Sequence, residues 1–412
     1  MVYIIDYQMN NEILEDITDY KYVQYKNVDK TTYMLYDLLD KGYKYIKKKK
    51  QGKCFNYTLT KINMISQIPK PDIYDNVFFP DEIQKYIDDN AEHVLEFNCR
   101  IKTRNVIVRI ILCDKLDSNI VLKLSNYIFN IYIWIYMLDS LSSAKCSKNL
   151  ELYLYLTPFK KELPDNQMTI LGPKHVNTAF TSDCRENTQI VLYRTEEWFK
   201  VFIHETFHNF GLDFSNMNLS SVDKRIKDVF NMNIEYNLYE SYCETWARII
   251  NTMFFSYFSI PDKEMNKQIM FINLFNKNME IESRYSLYQF TKILSFLELN
   301  YDMVTKKNKN NVTICNHLYK ENTSVFSYYV ICGLLMNNYK DFMLWCCKNN
   351  YMLVQFKKTP LNLDKYLDII QKTSKNDNIK KNINNIEKSF INGTLDITPT
   401  LRMSYLDIEH VF

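Results

Sequence analysis

His204-Glu205-Thr206-Phe207-His208-Asn209-Phe210-Gly211 decides how this 412-residue chain is read. On a helix, residues i and i+4 leave the same face one turn apart, so the two imidazoles project together about 6 Å apart. They can then share one tetrahedral ion, and Zn2+ is the ion this ligand chemistry favours. Glu205 stands beside them, where a general base for a metal-activated water is needed. The chain has only six histidines, the others being His93, His175, His317 and His410. The competing reading is a buried helix with two hydrogen-bonded core histidines.

The flanks favour a site. Trp198, Phe199, Val201, Phe202, Ile203, Phe207 and Phe210 wrap nearly all round the helix, so it is expected to be buried. Buried imidazoles left unpaired would cost about 1–3 kcal/mol each, and one metal ion partners both. Thr195 is the expected N-cap, with Glu196 and Glu197 in the first turn where carboxylates suit the helix dipole. Gly211, one of six glycines, is the expected left-handed stop. Upstream, Gln189–Tyr193 reads as a strand, which would let a peptide lie beside a sheet edge.

Two histidines leave a zinc ion short of one protein ligand. A histidine six residues after His208 would complete a metzincin pattern, but that position is Phe214, and Asp213 is one residue out of register. Met217 and Met232 make no convincing methionine turn. His175 and His317 are distant and lack supporting context. The segment Asn237–Ile250 reads as a helix that places Glu240 and Glu244 one turn apart on one face, with small Cys243 and Ala247 allowing close helix packing. Glutamate pairs are common on solvated faces. Here the rest of the helix is apolar and aromatic, and a buried carboxylate needs a cation.

At these residues the chain resembles the gluzincin metallopeptidases, in their thermolysin-like and lethal factor-like forms. Their pattern is HExxH, a glutamate ligand on a second helix, and a carboxylate four residues later. The resemblance implies His204 and His208 as zinc ligands, Glu205 as general base, Glu240 as third ligand and Glu244 as the carboxylate orienting the first histidine. It spans about residues 190–250. With Glu244 as the ligand, the Glu-x-x-Ala form would resemble other zincins instead. The implied activity is hydrolysis of a protein or peptide substrate. Glu205 takes a proton from the activated water and passes it to the leaving amine. Tyr236, Tyr239, Tyr328 and Tyr329 are candidate donors to the oxyanion. The alternatives are a metzincin-like peptidase with a different third ligand, and an inactive zinc-binding structural or interaction protein.

Composition bounds the rest. A net charge of +3 gives no electrostatic case for a nucleic-acid partner. The run Lys47–Lys50 with Lys53 reads as a solvated loop, with a polyanion contact as the minority reading. None of the ten cysteines forms CxxC, and several lie in apolar runs, so all read as reduced thiols of a reducing, cytoplasmic compartment. Met1–Asp6 has no basic region or long apolar stretch, so no signal peptide is expected. Tyr127–Leu138 is too short to span a bilayer, so no membrane partner is expected. The excess of Lys, Asn, Ile and Tyr resembles an AT-rich genome, as in some large DNA viruses or protists.

The expected class is α+β: a zincin-like catalytic domain with a twisted mixed sheet and a central HExxH helix, then a mainly helical C-terminal region. The expected divisions are 1–68, 69–260 and 261–412. A helix is expected over Thr31–Leu39 and another from Asp81. His93–Cys99 and Val106–Cys113 form a hairpin, Asn119–Leu141 a long helix, and Leu150–Leu156 and Val176–Thr181 two strands. Met265–Phe275, Ser286–Leu297, Val325–Met336 and Leu363–Gln371 are later helices. The Asn/Lys-rich tract Lys372–Asn385 is expected to be exposed. His175 follows a Gly172-Pro173 turn and reads as a surface-loop residue, with substrate contact as the minority reading and a strand over Asn177–Thr181 lining a cleft.

Overall fold

The computed structural model describes residues 26–50, 54–113 and 116–411. The readings of Met1–Asp6 and Lys53 fall outside them. The fold is α+β and built on a mixed six-stranded sheet of order β1-β2-β3-β4-β6-β5. The strands are β1 Thr58–Lys61, β2 His93–Ile101, β3 Arg104–Leu112, β4 Asn149–Thr157, β5 Ala179–Thr181 and β6 Asn187–Arg194. β2 and β3 form the expected hairpin. β3, β4 and β6 run parallel. β5 closes the edge antiparallel to β6, pairing Phe180 with Val191.

Strand alternation sorts the two faces. Val108, Ile110, Leu152, Leu154, Ile190 and Leu192 join the large helical core. Their neighbours Ile111, Tyr153, Tyr155, Val191 and Tyr193 lie on the other face, with Tyr74, Phe79, Ile83 and Ile87. The large core is continuous from Leu35 to Ile408.

The helices leading to the site are α1 Lys26–Lys49, α2 Asp81–Asn90, α3 Ser118–Leu141, α4 Trp198–Asn209, α5 Ser220–Val229, α6 Leu238–Phe258 and α7 Lys267–Phe296. α3 makes the β3-to-β4 crossover. It is apolar on every side because the fold surrounds it: Tyr127 stacks on Trp198 with ring centroids 4.2 Å apart, and Trp134 Nε1 donates to Thr206 Oγ1 at 2.8 Å. At 24 residues it is longer than the apolar run suggested and long and apolar enough to cross a bilayer, but most of that window is buried within the fold.

Several expectations are corrected. α4 begins at Trp198, and Thr195 is not its cap. Glu197 occupies the cap position at φ +57°, and its carboxylate turns inward to the Lys161 ammonium and the backbone N–H groups of Met403 and Ser404. Glu196 accepts from the Lys161 N–H at 2.8 Å. A buried cation and distant amides thus hold both carboxylates that the dipole argument put in the first turn. Lys47–Lys49 form the last turn of α1, not a loop, and Lys47 Nζ lies 2.8 Å from Asp262. The two helices expected between residues 265 and 297 are one 30-residue helix, α7. The Lys372–Asn385 tract is mostly exposed, as expected, but it is also largely helical: Asp377–Ile391 buries Ile379, Ile383 and Ile386 at helical spacing. The strand expected from Val176 begins only at Ala179, because Pro173–Val176 is a helical turn. Cys146 and Cys184 form a disulfide, so not all ten thiols are reduced. Cys243, Cys315, Cys332 and Cys346 are free and buried.

Candidate metal centre

β6 delivers the chain into α4, and α4 packs on α6 at the heart of the core. Cys243 and Ala247 on α6 are fully buried, as close packing requires. His204 and Glu205 are buried, while His208 and Glu240 are partly open to a cleft of about 660 Å³ that all four line.

The donor atoms converge. His204 Nε2 lies 3.2 Å from His208 Nε2 and 3.1 Å from Glu240 Oε2. His208 Nε2 lies 3.5 Å from the same carboxylate oxygen. Ligands about 2.0–2.2 Å from a tetrahedral ion stand about 3.3–3.6 Å apart, so the triangle is within about 0.2 Å of the dimensions a metal ion requires.

The opposite ring nitrogens strengthen the fit. Nδ1 of His204 lies 3.1 Å from Glu244 Oε2, and Nδ1 of His208 lies 2.6 Å from Asp213 Oδ2. A carboxylate accepts, so each Nδ1 carries a proton, which leaves Nε2 as the nitrogen of each ring that could present a lone pair to an ion. Two Nε2 atoms and a carboxylate oxygen therefore face one point, an arrangement that calls for a proton or a metal ion between them. Burial opposes charge on His204, but Glu240 and Glu244 outweigh it and push its pKa up to about 9. For Glu240, too, burial is outweighed: the two imidazoles hold its carboxyl far below the usual range. A metal ion would take the place that a proton otherwise fills.

The Glu205 carboxylate makes no hydrogen bond or ion pair with the described residues, while its backbone lies within α4. Burial, the largest influence on it, raises its pKa above the ordinary carboxylate value. Of the four tyrosines, two face the cleft. The Tyr328 ring centroid is 5.8 Å from that of His204, and the Tyr239 centroid is 6.1 Å from that of His208. Tyr236 donates to Met232 O and Tyr329 to Leu401 O, both away from the cleft. β5, not β6, is the edge strand, and Ala179, Phe180 and Thr181 line the cleft as the strand expected there should.

His175 is not in the cleft. Its Nδ1 accepts from the Gly172 N–H at 3.1 Å and caps a local turn. His317 belongs to neither metal-capable cluster among the described residues. Asp213, out of register for a ligand, instead orients His208. The turn at Gly211, φ +66°, folds it back so that its N–H reaches Phe207 O. A second cluster, His208, Asp213 and Cys243, uses the Nδ1 side of the same ring. Burial raises the Cys243 thiol well above its ordinary range and keeps it protonated, so the Nε2 side is the better metal site. Sequence reasoning also missed Lys200, whose position four residues before His204 was its only signal.

No family profile and no solved structure matches the chain. It is similar to an uncharacterized protein of Acanthamoeba polyphaga mimivirus, 21% identical over 356 residues, which is 82% of this chain and 85% of that protein. That relative brings no activity with it, so the functional reading rests on the site.

Proposed function

We propose that this chain is a zinc-dependent peptidase with a gluzincin-like site on a zincin-like core. The observation that carries the reading is the meeting of two Nε2 atoms and the Glu240 carboxylate near metal-ligand spacing, with both Nδ1 atoms held by carboxylates. His204, His208 and Glu240 would hold the ion. When bound, it would supply Lewis acidity that lowers the pKa of a water toward about 7 and polarises a carbonyl.

The residues of the chain do the rest. Glu205 takes the proton from the attacking water and delivers it to the departing amine. Tyr328, on the His204 side of the cleft, donates to the oxygen that gains charge. The free edge of β5 offers backbone N–H and C=O groups to an extended peptide, a mode that suits a sheet edge beside a cleft. Glu244 and Asp213 hold the imidazoles in the tautomer that ligation needs.

The test is to map new peptide termini in a proteome-derived peptide library treated with wild type or with Glu205→Gln. Termini made only by wild type support the reading. Equal sets from the two proteins overturn it.

A further inference from the structure

A second layer of charge lies behind the metal centre and does not line the cleft. Lys200 sits one turn before His204 on α4 and is 2% exposed. Its Nζ lies 2.8 Å from Glu244 Oε1, while Glu244 Oε2 lies 3.1 Å from His204 Nδ1. One carboxylate thus bridges an ammonium and an imidazole, using one oxygen for each. The ammonium is itself held from behind. Its Nζ lies 3.6 Å from Met403 Sδ, and the Met403 N–H donates to Glu197, whose carboxylate also attracts Lys200.

We propose that Lys200 is a positioning residue for the metal ligand His204, acting through Glu244. The inference rests on the metal-site reading above. A glutamate on a buried helix face can rotate its carboxylate and present either oxygen. With one oxygen fixed on Lys200, the group has a single orientation, and the second oxygen meets Nδ1 of His204. That fixes the ring plane and aims Nε2 at the point shared with His208 and Glu240. The pair also neutralises a carboxylate that would be costly to bury alone. Lys200 touches neither a ligand atom nor the cleft, so its effect must pass through Glu244.

The experiment measures zinc dissociation constants by chelator competition on the full chain. The proteins are wild type, Lys200→Met, Lys200→Arg, Glu244→Gln and the double variant Lys200→Met/Glu244→Gln, with thermal unfolding of each metal-free protein alongside. Lys200→Met and Glu244→Gln should each weaken zinc by roughly 10–100-fold. The double variant should bind no more weakly than Glu244→Gln alone, and Lys200→Arg should recover most of the loss. A merely structural lysine would add its loss to that of Glu244→Gln. Such additivity, or wild-type affinity in Lys200→Met, overturns the proposal. Should Lys200→Met fail to fold with Glu244 unpaired, the double variant removes both charges together and decides against Glu244→Gln. Equal affinity there supports the proposal, and a further loss overturns it. A wild type that takes up no zinc overturns the metal reading itself, and this proposal with it.

Discussion

Asp213 Oδ2 lies 2.6 Å from Nδ1 of His208, and it reaches that position only because the chain reverses at Gly211. In the proposed centre the carboxylate would set the tautomer of His208 as Glu244 would set that of His204. Asp213→Ala should therefore weaken zinc by about 10–100-fold and leave the fold intact. Chelator competition together with circular dichroism checks both parts.

Tyr328 and Tyr239 stand on opposite histidines of the same cleft. If Tyr328 donates to the oxyanion, Tyr328→Phe should keep zinc and KM near wild type and lower kcat by about 10²–10³-fold. Tyr239→Phe should lower kcat far less. Steady-state kinetics on one cleaved peptide compares them.

Gly211 holds a left-handed conformation, φ +66°, and a Cβ there would lie 3.2 Å from Cys146 Sγ. Gly211→Ala should lower stability by about 1–2 kcal/mol through the backbone alone, with more from the contact against the disulfide. The midpoint and slope of urea unfolding give the value.

Lys292 is fully buried on α7 and hydrogen-bonded to Thr400 O, and burial brings its pKa down to about 7. Between pH 7 and its ordinary value of 10.5, the unfolded chain binds the proton and the folded chain does not. Stability from this group therefore grows as pH rises through that window and is lost as pH falls to 7. Unfolding of wild type and Lys292→Met from pH 6 to pH 10 should show this slope in wild type only.

The candidate metal centre was legible in sequence because its parts obey helical spacing: His204 and His208, then Glu240 and Glu244, each one turn apart. Gly211 was legible because glycine is scarce here and the turn requires it. What sequence hid depends on distant partners. Glu197 points inward because Lys161 and the backbone at Met403 and Ser404 meet it, and no local rule brings residue 403 to residue 197. Cys146 and Cys184 are 38 residues apart and share no motif, so only the fold pairs them. The helix Asp377–Ile391 was missed for another reason. Its Asn/Lys composition outweighed the spacing of Ile379, Ile383 and Ile386, which was present in the sequence. In α7, the stretch between Phe275 and Ser286 was left out of both expected helices, yet Asn278 within it is buried and bonds to Ser256 Oγ at 2.9 Å.

The central claim is that His204, His208 and Glu240 hold one zinc ion. Elemental analysis of purified wild type, Glu205→Gln and His208→Ala, after zinc loading and removal of excess, tests it most directly. The account predicts about one zinc per chain in the first two proteins and loss in the third. A folded wild type that stays metal-free after loading, or a His208→Ala protein that keeps its zinc, would contradict it.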